Sequence, residues 1–99
     1  MYDKDEGLME FVWDDEKDKK NREKHKICFE TESRVFLDPN RLDDLDREHS
    51  TDGEERRIVI GRVYKVLFVV YAERGEAIRL ISARFASTEE KRLYYDETI

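Results

Sequence analysis

The sequence has little of the residues that build disulfides, metal cages and nucleotide-binding loops. Its single cysteine, Cys28, excludes an intramolecular disulfide and suits a reducing compartment. That cysteine and the two histidines, His25 and His49, are too few and too scattered for a four-ligand zinc site. The four glycines, at positions 7, 53, 61 and 75, match neither a P-loop nor a dinucleotide fingerprint. We therefore expect a protein with no metal and no other cofactor.

Long apolar runs are also missing. No stretch is long enough to span a membrane, and the first residues do not resemble a secretion signal. A chain of 99 residues has room for one modest core. We expect residues 1–8 to be a disordered extension, residues 9–99 to form one domain, and the protein to be cytoplasmic with no membrane partner.

Charge is abundant but unevenly placed. The net charge is −6, and residues 1–55 hold 10 Lys and Arg against 19 Asp and Glu. Residues 56–95 reverse the balance, with 9 basic residues against 4 acidic ones. The overall acidity therefore conceals a basic half, which is also the half richest in strand-like sequence.

Residues 14–26 form a predicted helix that contains no apolar residue. At 100° per residue, one face carries Lys17, Lys20, Asn21 and Lys24, with His25 at its flank. This face is either a solvated surface held by ion pairs or a cationic stripe for a phosphate backbone or an acidic partner.

The remaining pattern predicts a small α+β domain. Phe29, Ser33, Phe36 and Leu37 have the spacing of a second helix over residues 29–37, which Pro39 ends. Residues 40–55 are polar and form a long connection. Short connections then force antiparallel hairpins, with Gly75 free to adopt a positive φ. The predicted strands are 10–13, 56–62, 66–73 and 77–84, and the last helix is 88–97, in the order β-α-α-β-β-β-α.

Two arginines in the last strand, Arg79 and Arg84, are the strongest functional signal. An arginine in an apolar strand is costly unless its guanidinium meets an anion. Ser87 and Glu90 have capping-box spacing, so Arg84 and a helix N-terminus together make a candidate phosphate-binding corner. The structural alternatives are pairing of Arg79 with Glu73 and of Arg84 with a terminal carboxylate. In a regular strand the two arginines point to opposite faces, so a common site requires a bulge or bend near Ser82.

These residue types are compatible with RNA cleavage. Attack by a 2′-hydroxyl requires cations around the phosphorus and groups that move protons. Exposed aromatic rings can hold single-stranded bases, and Tyr71, Tyr94 and Tyr95 are candidates. No single one of these features is specific.

Taken together, however, the motifs resemble a known family. They are Phe11-Val12-Trp13-Asp14, Asn21, Lys24-His25, Phe29, Val35-Phe36, Asp38-Pro39, His49-Ser50, Glu54-Glu55-Arg56, Ile60-Gly61, Val69-Val70-Tyr71, Glu73-Arg74-Gly75, Ile78-Arg79, Ile81-Ser82-Ala83-Arg84, Ala86, Glu90 and Tyr94 or Tyr95. In this order, over residues 9–95, the chain resembles the BrnT toxins of bacterial type II toxin–antitoxin pairs. Lys26 stands where that family usually has glycine, so the end of the first helix is expected to differ.

The resemblance implies a compact RelE-like endoribonuclease that needs no metal. It also implies an RNA substrate, a BrnA-like antitoxin that neutralises the toxin, and operator DNA bound only through the antitoxin complex. We predict catalytic roles for Arg79, Arg84, His25, Lys24 and Tyr71. We predict RNA contacts from Lys17, Lys20, Asn21, Arg56, Tyr94 and Tyr95. The alternative function is a non-catalytic interaction module within a DNA-binding repressor complex.

Overall fold

The computed structural model describes residues 10–51 and 53–98. The predicted disordered extension at residues 1–8 lies outside the described part of the chain. The elements, in chain order, are β1 (Glu10–Val12), α1 (Asp15–His25), α2 (Phe29–Glu32), a 3₁₀ helix (Ser33–Leu37), β2 (Leu42–Leu45), β3 (Arg56–Arg62), β4 (Val66–Arg74), β5 (Ala77–Phe85) and α3 (Thr88–Thr98).

The strands form one five-stranded sheet in the order β1-β5-β4-β3-β2. β1 pairs with β5 in parallel, and the other neighbours are antiparallel. The prediction of an α+β domain is confirmed, but the prediction of an antiparallel sheet is wrong, because the parallel pairing of β1 with β5 makes the sheet mixed. The predicted element order is wrong because β2 lies within the segment interpreted as a connection. The sequence of β2, Leu-Asp-Asp-Leu, is short and half acidic, and pairing with β3 rather than intrinsic propensity makes it a strand.

α1 is held at its ends rather than by an apolar stripe. Asp14 caps its start, with the carboxylate accepting hydrogen bonds from the backbone N–H groups of Glu16 (2.8 Å) and Lys17 (3.3 Å). At the other end Lys26 adopts a left-handed conformation with φ 64°, and its N–H donates to the Arg22 carbonyl. A left-handed conformation favours glycine, which is a physical reason why the family that the chain resembles usually has glycine where this chain has Lys26.

The predicted helix over 29–37 is a single α-turn that tightens into the 3₁₀ helix. With three residues per turn, Phe29, Glu32 and Val35 align on the buried side. Leu37, predicted to face the core, is instead 58% exposed because the tighter winding turns it outward. Gly61 of β3 lies against this segment, where an added Cβ would come within 3.1 Å of the Val35 carbonyl oxygen.

The helices cover the two faces of the sheet unequally. On the inner face, α1, α2 and the 3₁₀ helix enclose the main core, which includes Phe29, Val59, Leu67, Val69 and Leu80. On the outer face, a smaller cluster of Ile60, Val66 and Tyr94 lies under α3. The part of the outer face beyond α3 is open to solvent. Within the described residues, no helix has the length and apolar character needed to span a membrane.

Candidate active site on the outer face of the sheet

A bulge in β5 places both strand arginines on the same face. Val70 of β4 is paired with Ser82, but the next residue, Tyr71, is paired with Leu80, so Ile81 is an extra residue in β5. Arg79 therefore lies opposite Ala72, and Arg84 lies opposite Phe68. These positions alternate along one face of β4, so Arg79 and Arg84 both project from the outer face. The structure thus contains the bulge that a common site requires.

Arg79 belongs to a cluster of three arginines around one carboxylate, Glu54. Ala72 lies between Arg79 on β5 and Arg56 on β3 in the strand register. Glu54 accepts a hydrogen bond from Arg79, one from Arg56 Nε (3.2 Å) and one from Arg74 Nη2 (3.1 Å). The bond from Arg79 is the main reason why the Glu54 pKa falls to about 2. The alternative of an Arg79–Glu73 pair is wrong, because Glu73 faces Ile78 in the register.

Arg84 forms the predicted corner with the start of α3. The capping box is present: the Ser87 N–H donates to Glu90 Oε1 (2.8 Å), and the Glu90 N–H donates to Ser87 Oγ (3.2 Å). Arg84 donates to both oxygens of Glu90, at 2.8 and 2.9 Å, and stacks on the Phe68 ring at 4.1 Å. This bidentate contact lowers the Glu90 pKa and raises that of Arg84. Glu90, not a terminal carboxylate, is therefore the partner of Arg84.

A histidine that we did not predict as catalytic lies on the same face. His49 Nδ1 is 2.9 Å from Oδ2 and 3.1 Å from Oδ1 of Asp46. Asp46 is buried, and its backbone N–H donates to the Arg56 carbonyl (2.8 Å), so the loop is tied to β3. With Nδ1 facing the carboxylate, Nε2 is the ring nitrogen available to a substrate. The His49 side chain is 61% exposed, so this nitrogen is accessible.

His49, Arg56 and Arg84 border a cleft of about 380 Å³ on the outer face, whereas Arg79 and Glu54 are not part of its lining. Its polar margin consists of Asp46, Glu48, His49, Arg56, Ser82 and Arg84. Its floor is apolar and is formed by Ile58, Phe68, Val70 and Ile81. The space is of the size that small-molecule sites usually have, and it combines an apolar floor with a few polar groups. The arrangement can hold a phosphate on guanidinium groups and move a proton through imidazole.

None of the predicted residues of α1 belongs to the lining of this cleft. Burial, followed by the positive charges of Lys24 and Arg84, lowers the pKa of His25. Lys17, Lys20 and Lys24 are exposed. Within the described ranges, no three Asp, Glu, His or Cys side chains are grouped to hold a metal ion.

Asn21, predicted to contact RNA, is instead buried and hydrogen-bonded within the fold. It is 7% exposed, and its Nδ2 donates to the Ile27 carbonyl (3.0 Å) and to Glu32 (2.8 Å). Its Oδ1 accepts a hydrogen bond from the Ala83 N–H (3.2 Å). These bonds connect α1 and α2 to Ala83 in the second half of β5, past the residues that pair with β1. The three lysines of the predicted face are exposed, but Asn21 lies at its border with the side of α1 that carries the partly buried Asp18 and His25 and faces the protein interior.

Two of the predicted tyrosines are also buried. Tyr71 points to the inner face, where its hydroxyl donates to Asp43 (2.7 Å), so the structure separates it from Arg79 and Arg84. Burial raises its pKa further above its usual value, which makes proton transfer harder. Tyr94 is 4% exposed and donates to Asp38, so its ring cannot stack on a base. Tyr95 is 44% exposed and keeps an accessible ring.

Sequence reasoning missed two residues of the candidate site, His49 and Glu54. Both lie between β2 and β3, in the acidic segment interpreted as a connection. The Asp46-to-His49 spacing is a weak signal for a carboxylate–imidazole pair, since residues three apart meet in a tight turn. No sequence feature indicates that Glu54 contacts arginines 20 and 25 positions further along the chain.

Comparison with known proteins assigns this architecture to a family. The family model "Ribonuclease toxin, BrnT, of type II toxin-antitoxin system" matches residues 13–90. The structure is similar to the crystal structure of the Brucella abortus ribonuclease toxin BrnT, with a TM-score of 0.61 and 26% sequence identity. This similarity covers 82% of the present chain and 100% of the Brucella chain. Among curated proteins, no sequence matches this one.

Proposed function

Because the chain belongs to the BrnT family of type II toxin–antitoxin ribonuclease toxins, we propose that it cuts RNA in the sheet-face cleft. The observation that carries the proposal is the juxtaposition of His49, oriented by Asp46, with Arg56 and Arg84 around one open cleft. General acid–base groups and cations are the two requirements for cleavage by a 2′-hydroxyl.

The reaction that this geometry supports is an internal transesterification. The 2′-oxygen forms a bond to phosphorus while the bond from phosphorus to the 5′-oxygen breaks, which leaves a 2′,3′-cyclic phosphate. One group takes the proton of the 2′-hydroxyl, and another group gives a proton to the departing 5′-oxygen. His49 Nε2 is our first candidate for one of these transfers, and His25, whose pKa is lowered near Arg84, is the second.

The arginines are proposed to stabilise the extra negative charge on the phosphorane. Arg84 and Arg56 line the cleft itself. Arg79 is joined to Arg56 through Glu54, so an RNA phosphate can bind this cluster in place of the carboxylate. The exposed Lys17, Lys20 and Lys24 remain proposed contacts for the RNA backbone.

Histidine substitutions test the proton-transfer assignment. We expect His49→Asn to lower kcat by about 10²–10⁴-fold, since an asparagine cannot exchange the proton. His25→Asn is the matched comparison, and a larger loss in that variant would transfer the assignment to His25. Unchanged cleavage in both variants would contradict the proposal that either imidazole moves a proton.

Arginine and nucleic-acid substitutions test the rest of the mechanism. Arg79→Ala should lower the rate by about 10²–10³-fold while the protein remains folded. Cleavage should continue in the presence of a chelator, because side chains supply both the cations and the proton transfer. DNA of the same sequence should not be cut, since it lacks the nucleophilic hydroxyl. Equal cleavage of DNA would reject the mechanism, and loss of activity on chelation would reject metal independence.

We further propose a BrnA-like antitoxin with an acidic or amphipathic segment that covers the arginine face. Glu54 and Glu90 already show how carboxylates occupy Arg79 and Arg84. The complex, rather than the toxin alone, is proposed to bind operator DNA in the cytoplasm and repress its own synthesis. Opposite charges should make the association rate fall as salt rises. A rate that does not depend on salt would contradict electrostatic capture at this face.

The alternative is a non-catalytic module that supplies shape and charge to a repressor complex. The observation in its favour is that an internal carboxylate occupies each of Arg79 and Arg84. Expression without an antitoxin separates the two functions. An active toxin should arrest growth and fragment total RNA, and Arg79→Ala should do neither.

A further inference from the structure

A second depression lies at the end of the sheet, where the β3–β4 connection meets α3. It has a volume of about 470 Å³ and is bordered by three exposed aromatic residues and three cations. The aromatic residues are Tyr64, Phe85 and Tyr95, which are 54%, 38% and 44% exposed. The cations are Arg62, Lys65 and Lys91. We call this depression the hairpin groove.

The hairpin groove is basic although the whole chain has a net charge of −6. None of the residues that line it is acidic. Tyr64 also borders a neighbouring depression that carries Arg22 and Lys26, again with no acidic residue in its lining. The linings of the two adjoining depressions hold five cations, of which Arg22 is paired with Asp18 at 3.6 Å, and no carboxylate, a marked departure from the acidic average. Such a surface attracts a polyanion.

The groove places aromatic rings beside cations, which is the arrangement that sites for single-stranded nucleic acids usually have. The Lys65 ammonium is 5.1 Å from the centre of the Phe85 ring, so charge and aromatic surface lie side by side. The aliphatic lining is small, since it consists of Val66, which is 4% exposed, and Ala86. A protein helix usually needs an aliphatic or aromatic pocket for its anchor residues, whereas a base needs a flat ring.

The groove also adjoins the cleft along the chain. Arg84 and Phe68 border the cleft, while the next two residues, Phe85 and Ala86, border the groove. Phe85 projects from the opposite face of the sheet to Arg84, so an RNA strand that leaves the cleft beside Arg84 reaches the groove by passing the end of β5. We propose that the hairpin groove binds single-stranded RNA next to the cut site, with bases stacked on Tyr64, Phe85 and Tyr95 and phosphates on the cations. This inference rests on the proposed ribonuclease function.

The test measures binding of a fluorescent 2′-O-methyl oligouridine of about ten nucleotides, which cannot be cut because its 2′-oxygen is blocked. We expect Tyr64→Ala and Tyr95→Ala each to raise Kd about tenfold. Tyr64→Phe keeps the stacking surface and should bind like the unaltered protein. Lys65→Ala should reduce the slope of log K against log salt by about one, whereas Lys19→Ala, an exposed lysine outside the groove, should change Kd little.

Kinetics separate this inference from the ribonuclease proposal. With cleavable RNA, the groove variants should raise KM and leave kcat unchanged, whereas His49→Asn should lower kcat. Unchanged Kd in both tyrosine-to-alanine variants would overturn the groove assignment even if the protein cuts RNA. A polyglutamate peptide is the second ligand tested. If these variants weakened its binding but not that of the oligouridine, the groove would be a site for an acidic protein partner, and the RNA inference would be wrong.

Discussion

Glu32 should make the stability of this protein fall as pH rises. Its side chain is fully buried, and Oε1 accepts a hydrogen bond from Asn21 Nδ2 at 2.8 Å. Oε2 has no hydrogen-bond partner among the described residues. Burial raises its pKa to about 8, and the nearby Cys28 and Asp18 add to this direction. The folded protein therefore holds a proton on Glu32 at pH values where the unfolded chain has lost it.

The sign and size of the effect follow from linkage. In the unfolded chain the pKa of Glu32 is near 4.5, so between that value and about 8 the folded state binds more protons. The stability contributed by protonation is fully present below pH 4.5 and decreases as pH rises toward 8. The slope is at most about 1.4 kcal/mol per pH unit. Between pH 5 and 7 the free energy of unfolding should fall by roughly 2–3 kcal/mol from this group.

Glu32→Gln isolates this effect because glutamine has the same shape and no charge. Its amide oxygen can accept the Asn21 hydrogen bond, and its NH₂ occupies the position of the unpartnered Oε2. We expect the variant to match the unaltered protein near pH 5 and to be more stable near pH 8. Glu30→Gln changes an exposed neighbour and is the control. Urea unfolding at pH 5 and pH 8 measures the difference in the free energy of unfolding between the variant and the unaltered protein. An equal difference at both pH values would refute the conclusion that Glu32 is buried in its neutral form.

Two further substitutions test local features of the fold. Lys26→Gly should stabilise the protein by about 1 kcal/mol, because it removes the strain of a side chain at φ 64°; a loss of stability in urea unfolding would contradict this reason. Tyr71→Phe should cost about 1–2 kcal/mol, because the Asp43 carboxylate loses a donor, and should leave kcat unchanged. A hundredfold loss of cleavage by a stable Tyr71→Phe variant would instead restore Tyr71 as a catalytic residue.

The sequence predicted the elements that contain a clear apolar pattern. The strand over 56–62 has the predicted bounds, and the next two strands each extend one residue beyond the prediction. The Gly75 turn also has the predicted positive φ. These elements depend on local features, namely consecutive β-formers and a short turn.

The failures involve contacts between distant parts of the chain. β2 is a strand because β3 offers it a partner, and Asn21 is buried because α1 lies against β5. Neither partner can be identified from a local window. The bulge at Ile81 is a similar case. The sequence indicates that Arg79 and Arg84 can share a face only if β5 has a bulge near Ser82, but only the register with β4 shows that the bulge exists.

The candidate site shows the same limit. Arg84 and the Ser87–Glu90 capping box are close in sequence, and the predicted corner is present. His49 and Glu54 come from a connection that has no regular pattern, so their positions depend on how Asp46 is tied to Arg56. A functional group on a loop is the hardest type to predict from one sequence, because loop geometry follows from the scaffold around it.

The internal carboxylates explain how an acidic protein can keep partly buried arginines on the outer face of its sheet. Glu54 and Glu90 neutralise Arg79 and Arg84 while no RNA is bound, so neither partly buried arginine is left as an uncompensated charge. The Glu54 pKa of about 2 keeps this carboxylate ionised throughout the physiological range. An RNA phosphate must therefore replace a carboxylate rather than fill an empty site, and its affinity is the difference between two charge-assisted contacts. This difference is small for a single phosphate, so a lone phosphate should bind weakly. RNA should bind more tightly when its neighbouring nucleotides contact a second site, and the hairpin groove is the proposed second site.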